Sequence, residues 1–383
     1  MFLDETKFDK ANFEKELTEL AKQTREEESK DDLEHLRQIV NWTNFFGLLG
    51  LATFWYSISV IPIVCISTYT FAKWTLIGHH TCHGGYDKVG KGTQYNRFIY
   101  GLGWRRFIDW FDWFLPEAWN IEHNNRHHYH LGEEADPDLV ENNMVELRNA
   151  KLPIFIKYLI AFALMFSWKY TYYASNTYKE LCIHRHEKAT NQDVVKGRSV
   201  SMIYTSLTRS KHWYSFTQLV MNVIGPYFMA RFVFLPLVCY YVNPQYGVNA
   251  LANLILAEMM TNFHSFVMVV TNHCGSDVCR FTTPCDLTDK GDFYLRQITG
   301  SVNYTNGNEF VDYFHGYLNY QIEHHLFPDM TMRSYRKMAP KVQTICKKYG
   351  VIYIKENVLI RLKKTMDVFV GTASMKTTFR KLR

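Results

Sequence analysis

Apolar positions are strongly clustered along this chain. Between Arg37 and Lys73 run 35 residues without an Asp, Glu, Lys or Arg, and between Lys211 and Asp277 the only such residues are Arg231 and Glu258. A core helix of a soluble domain needs no such run, whereas roughly 20 apolar residues cross a bilayer. Residues 38–78 are long enough for two spans, since 35 helical residues reach about 52 Å at 1.5 Å per residue against a hydrocarbon core of about 30 Å. A break near Ser57–Pro62 makes this a predicted helical hairpin. Three further apolar stretches follow at 153–174, 214–242 and 248–272. The last two are separated by Asn243-Pro244-Gln245-Tyr246-Gly247, a turn composition. The first carries Lys157 and Lys169 and is expected to lie in the membrane interface rather than to cross.

This pattern predicts an all-α integral membrane protein with about four transmembrane helices. Three segments are expected: a polar N-terminal tail (1–37), a membrane domain (38–328) and a basic C-terminal tail (329–383). In the first, Phe8, Phe13, Leu17 and Leu20 recur at helical spacing and predict an amphipathic helix lying on the protein or the membrane surface. Phe107, Trp110, Phe111, Trp113 and Phe114 predict an aromatic helix at the interface.

Composition adds orientation and excludes some classes. With 383 residues, 47% hydrophobic and 21% charged, the chain can bury a core and is not broadly disordered. Residues 329–383 hold fourteen Lys/Arg against three Asp/Glu, a net +11. On a membrane protein such charge reads as cytoplasmic and as attraction to anionic headgroups, not as a nucleic-acid site. The opening residues show no basic stretch leading into an apolar one, so no cleaved signal peptide is expected. None of the eight cysteines forms a C-x-x-C pair. Cys274, Cys279 and Cys285 beside His273 are either reduced structural thiols or a zinc knuckle.

The candidate chemistry lies in histidines. Three clusters stand just outside apolar stretches: His79-His80-Thr81-Cys82-His83, His123-Asn124-Asn125-Arg126-His127-His128, and Gln321-Ile322-Glu323-His324-His325. On an α-helix residues i and i+4 share a face, so His79 and His83 can hold one metal, and His123 and His127 can do likewise, leaving His128 for a second. Neutral imidazole suits iron, copper, zinc and nickel. An even number of crossings between the first and third clusters puts all three on one side of the membrane, where they can converge. His273, at the end of the last apolar stretch, is a candidate further ligand, while His264 reads either as a ligand or as a packed residue.

The three clusters, and above all Phe314-His315-Gly316-Tyr317-Leu318-Asn319-Tyr320-Gln321-Ile322-Glu323-His324-His325-Leu326-Phe327-Pro328, resemble the histidine boxes of membrane fatty acid desaturases of the front-end type. Asp136-Pro137-Asp138 and Lys347-Lys348-Tyr349-Gly350-Val351 fit the same family. The chain departs from it in three places. His80 stands where Asp is common. The second box is H-x-x-x-H-H rather than H-x-x-H-H. No HPGG motif of a fused cytochrome b5 domain occurs.

The resemblance implies a cytosolic cap bearing the three boxes and two iron ions held by His79, His83, His123, His127, His128, His273, His324 and His325. Gln321 would be a weak ligand or a donor beside the metals. Asp136, Asp138 and Glu323 would accept from ligand N–H groups, and His80 would be a supporting residue or an extra ligand. It further implies O2-dependent desaturation of a fatty acyl lipid, an external electron donor such as cytochrome b5 or ferredoxin, and residence in the endoplasmic reticulum or a bacterial inner membrane. Hydroxylation, acetylenation or ketolation on the same fold, and a non-redox metal-binding membrane protein, are the alternatives.

Overall fold

The structure is a computed structural model that describes residues 3–4, 6–191 and 216–378. Helix α1 (Lys10–Glu27) is capped by Asp9, whose carboxylate accepts from the Asn12 N–H, and it buries Phe13, Leu17 and Leu20. Helix α2 (Lys30–Thr53) starts from a reciprocal capping box between Ser29 and Asp32. The expected boundary at 37/38 therefore falls inside a helix. After a short turn α3 (Val60–Cys82) returns along α2, which makes the predicted hairpin. The turn is held from a distance: Asn253 donates to the carbonyls of Phe54 (2.7 Å) and Ser57 (2.8 Å) and accepts from the Ser59 N–H (3.2 Å). Away from water, backbone groups at a turn need such partners.

The polar middle of the chain is compact. Helix α4 (residues 116–130) carries the second histidine box, and two short helices follow, α5 (Val140–Asn143) and α6 (Val145–Asn149). No helix forms over 107–114, contrary to the sequence expectation. The chain leaves a 3₁₀ turn (Gly103–Phe107) and runs irregularly, with Trp110, Trp113 and Phe114 buried and Phe107 exposed. The aromatic cluster fills a core more than it lines an interface. Helices α7 (Ile154–Leu164) and α8 (Lys169–Thr190) meet at 80°, so the 153–174 stretch is not one straight span. At the bend the Lys169 ammonium lies 2.9 and 3.0 Å from the Asp112 carboxylate oxygens, both side chains being essentially fully buried.

Helices α9 (Phe216–Val242) and α10 (Pro244–Asn272) form the second hairpin, with Asn243 capping α10. The two charges that interrupt this apolar region sit together: Arg231 is 3.6 Å from Glu258, which also accepts from Trp113 Nε1 at 2.7 Å. Ionisable groups inside spans are costly unless paired in this way. Among the described residues α3, α9 and α10 are long and apolar enough to cross a membrane, and the bent α7–α8 pair would make a fourth. The protein is a helical membrane protein.

The C-terminal third closes the cap. It comprises α11 (Lys290–Thr299), α12 (Glu309–Phe314), α13 (Gln321–Leu326), α14 (Met332–Lys348) and α15 (Val358–Val370). Two short parallel pairs, Cys279–Phe281 with Lys376–Thr378 and Asn303–Tyr304 with Lys355–Glu356, are the sheet structure of the described residues. The basic tail, over its described residues 329–378, is folded into the protein. Helix α14 packs on α1, where Lys348 pairs with Glu16, and Arg25 reaches Asp329 at 2.6 Å. Arg361, fully buried, grips Asp277 at 2.6 and 2.8 Å. Part of the net +11 is thus neutralised internally. Lys196, Arg198, Arg209 and Lys211 lie outside the described residues, and Arg185 pairs with Glu117.

Candidate metal centre

The local backbone around two of the three boxes is not α-helical. The chain enters the first box through a π turn (Lys73–Gly78), and the second box lies within a longer one (Asn120–His127), in which the His128 N–H donates to the His123 carbonyl, five residues back. Such π segments recur at functional sites. In this register residues i and i+5, not i and i+4, share a face. His123 therefore sides with His128, and their Nε2 atoms are 3.3 Å apart. The His127 ring stacks on that of His123 at 5.2 Å, but its ligand atoms fall in a separate group. The pairing of His123 with His127 expected from α-helical spacing is overturned by that one extra residue.

Two all-histidine groups of potential ligand atoms result, each within 4.8 Å: His79, His83, His123, His128 and His324 in one, His127, His273 and His325 in the other. All eight residues expected as ligands converge, from helices α4 and α13 and from the C-terminal ends of α3 and α10, where His83 and His273 are the capping residues. The His128 and His325 rings stack at 4.2 Å and join the two groups. The cysteines near His273 belong to neither, and Cys285 donates instead to Asp292 (3.7 Å).

The donor atoms fit cations. His83, His324 and His325 have buried Nε2 atoms without a hydrogen-bond partner, and the Nε2 atoms of His79 and His123 face each other at 3.2 Å. A buried nitrogen left unpaired costs about 1–3 kcal/mol, so several in one place mark a missing partner common to them. Burial, followed by the neighbouring imidazoles, holds His83, His123, His128, His324 and His325 well below the ordinary imidazole pKa, and His273 at about 3. Neutral rings with free lone pairs are what a metal requires.

A layer of acceptors orients the rings. Asp136 accepts from His127 Nδ1 at 2.9 Å; although burial works against the charged ring, this carboxylate outweighs it and raises the His127 pKa. Gln297 accepts from His325 Nδ1 at 3.0 Å and donates to the His128 carbonyl at 3.1 Å. The Tyr335 hydroxyl stands 3.3 Å from His324 Nδ1, and the Gly300 carbonyl 3.3 Å from His273 Nδ1. Gln297 and Tyr335 carry no sequence signal, since a lone Gln or Tyr on an amphipathic helix reads as ordinary packing.

The remaining expected residues are placed differently. His80 is buried outside both groups, its Nδ1 donating to the Leu76 carbonyl at 2.9 Å. His264 stacks on Phe71 (3.9 Å) and bonds the Phe314 carbonyl (2.8 Å), so it is a packed residue. Glu323 accepts instead from Asn303 and Tyr353, each at 2.8 Å. Asp138 is grouped with Glu122 and His123, and burial, followed by the neighbouring carboxylates, raises the Glu122 pKa. Gln321 Nε2 lies 2.9 Å from His273 Nε2, with Oε1 buried and unpartnered. It therefore sits at the group that has three histidines rather than five.

A cavity of about 380 Å³ opens onto both groups. It is lined by His79, His123, His127, His273 and Gln321 on one side, and by Trp74, Trp168, Phe266, Val269 and Phe369 on the other. Its volume is within the range of ligand sites, about 300–1,000 Å³.

Deleting Asn125, which is exposed, is expected to convert the π segment of α4 to an α-helix and bring His123 and His128 to i, i+4 on the same face. The variant should keep metal within about twofold of the parent, as checked by elemental analysis of the purified protein. Loss of most of the metal would show that the π turn itself is required.

Spans that bury paired charges, a polar cap and two histidine groups beside an apolar cavity make a membrane protein whose histidines fit metal binding. The sequence matches the fatty acid desaturase family over residues 53–357, and the chain belongs to that family. Similar proteins include fatty acid desaturase 3 of Bos taurus (34% identical over 111 residues, 29% of this chain and 23% of that protein). An acyl-lipid (9-3)-desaturase of Physcomitrium patens is 34% identical over 122 residues, 32% of this chain and 21% of that protein. A NADPH-dependent stearoyl-CoA 9-desaturase of Mycobacterium tuberculosis is 30% identical over 112 residues, 29% of this chain and 26% of that protein. The match spans about a quarter of the length of these curated relatives. No solved structure matches the chain.

Proposed function

We propose that this protein is an O2-dependent fatty acyl desaturase. The observation that carries the reading is the convergence of eight histidines into two metal-sized groups at the wall of one apolar cavity. In this reading His79, His83, His123, His128 and His324 hold one iron, and His127, His273 and His325 hold the other, with Gln321 at the poorer site. The metals supply the oxidation of an unactivated methylene pair. For each double bond formed, two hydrogens leave the chain, O2 is reduced to two waters, and two electrons and two protons are taken up. The protein's own residues hold the ligand rings through Asp136, Gln297 and Tyr335, exclude water, and keep the chain extended past the histidines. Electrons come from a separate acidic carrier, cytochrome b5 or ferredoxin, docking on the cytoplasmic face, where both termini and all three boxes lie. The membrane is the endoplasmic reticulum in a eukaryotic cell, or the inner membrane in a bacterium. The names of the similar proteins include both acyl-lipid and acyl-CoA carriers, so kinship does not choose between them.

Purified protein is expected to hold about two irons per chain and, with an added carrier and O2, to remove two hydrogens from a supplied acyl chain, as read by mass spectrometry. Full turnover with zinc alone would refute the reading, and a product two hydrogens lighter separates desaturation from hydroxylation.

Gln321 offers a finer test. Replacing it with Ala removes the amide at the three-histidine group and should lose most turnover, about tenfold or more, by the scale of residues that support metal ligands. Gln321→His should retain partial activity, because an imidazole can occupy the same position. Both variants should keep iron through the eight histidines. Normal turnover by Gln321→Ala would make Gln321 a packing residue.

A further inference from the structure

The cavity has two chemically different ends. At the inner end Trp74, Trp119 and Tyr173 are buried against the histidines. The outer end is formed by α5, α6 and the start of α8, where Asn143, Leu147 and Tyr172 are half-buried and Glu146 is exposed. Helix α7, which supplies Leu164 to the lining, leaves Ile154, Phe155, Leu159 and Phe162 46–61% exposed. An exposed apolar helix face beside the opening places it against the bilayer. A chain entering there arrives from the membrane.

The polar atoms at this end are acceptors. Asn143 Nδ2 donates to the Pro137 carbonyl at 3.0 Å and to the Tyr172 hydroxyl at 2.6 Å, and that hydroxyl donates to the same carbonyl at 3.0 Å. A carbonyl only accepts, so the amide cannot be flipped, and Oδ1 is the atom left over. It is buried and has no partner. Glu146 adds a carboxylate at the rim and Asp138 another deeper in. Among the described residues no Lys or Arg lines the cavity. The cations closest in sequence are committed or point elsewhere. Arg148 bonds Glu141, the Ala373 carbonyl and Ser374, Lys157 donates to the Arg148 carbonyl at 2.6 Å, and exposed Lys151 is not part of the lining.

An anionic head would therefore meet acceptors and carboxylates with no Lys or Arg in the lining to pair it, which favours wrong-partner rejection over binding. We infer that the acyl chain entering this cavity is carried by a membrane lipid whose head end is uncharged or cationic and donates N–H or O–H hydrogen bonds, as an N-acyl amino alcohol does, and that the free acid and the CoA thioester are poor ligands. The inference rests on the desaturase reading for the chain, and on Asn143 and Glu146 for the head.

Trp74, Trp119 and Trp168 line the cavity, so a bound brominated acyl chain quenches tryptophan fluorescence. The probes are one brominated chain presented as a ceramide, as the free acid and as the CoA thioester, added to the full, iron-loaded protein in neutral detergent. The ceramide should reach half-quenching at a concentration about tenfold or more below the thioester, a gap of ~1.4 kcal/mol or more. Glu146→Lys, at an exposed position that tolerates charge, should narrow that gap at least about threefold by improving the thioester, and Asn143→Leu should weaken the ceramide selectively. Equal or tighter binding of the thioester, or a gap that neither substitution moves, overturns the inference. Turnover of the same carriers is measured in parallel. Desaturation mainly of the thioester would overturn the carrier assignment while the desaturase reading stands. The expected binding preference with no carrier desaturated would uphold the assignment and remove that reading.

Discussion

His128→Ala is expected to strip the larger histidine group of its metal and to lower desaturation below about one per cent of the parent, since even residues that merely support ligands cost 10–100-fold. The reason is its central position. His128 faces His123 at 3.3 Å, lies 4.4 Å ring to ring from His83 and stacks on His325 of the other group. Elemental analysis and acyl-chain mass spectrometry read the outcome. Two comparisons make it specific. Asp136→Ala, which leaves every ligand in place but frees the His127 ring, should fall in the 10–100-fold range. His80→Ala, outside both groups, should retain metal. If His80→Ala and His128→Ala lost iron equally, the division of the histidines described here would be wrong.

The largest stability effect is expected at Lys169→Met. Its ammonium is buried against both oxygens of Asp112 and lies over the Trp74 ring at 5.0 Å and the Phe114 ring at 5.6 Å. Removing one partner of a buried pair leaves an uncompensated charge and costs ~3–5 kcal/mol, whereas replacing both partners by apolar groups of similar size is often neutral. Thermal unfolding in detergent should therefore show a large drop for Lys169→Met and substantial recovery in Lys169→Met/Asp112→Leu. Trp74 lines the cavity, so the single variant should also lose substrate binding before it unfolds globally. A single variant as stable as the parent would show that Asp112 finds water at the bend.

Several features were legible from residue order because they depend on neighbours in the chain. Hairpins follow from long uncharged runs with polar breaks, and the Ser57–Pro62 and Asn243–Gly247 breaks lie where the helices turn. The three histidine boxes, and His273 at the end of the last span, were visible as candidate ligands because imidazoles concentrated beside apolar runs have few other uses. Asp136 was expected, with Asp138 and Glu323, only from the family resemblance, and of the three it is the one that hydrogen-bonds a box histidine, His127.

Other features were decided by packing. The amphipathic N-terminal helix was legible, yet only α14 showed that it lies on protein, because an apolar stripe does not name its partner. Residues 107–114 have interfacial composition, but the Trp110, Trp113 and Phe114 side chains found a core to fill. The division of the histidines into five and three could not be read, since one additional residue held in a π turn rotates His128 onto the face of His123 and sends His127 to the other group. Gln297 reaches His325 from a helix 28 residues away, Tyr335 reaches His324 from the next helix, and the Asn143 acceptor stands at the cavity rim. Spacing within one helix is a short-range property that sequence alone determines, while the identity of the atoms that meet across helices exists only once the helices have packed.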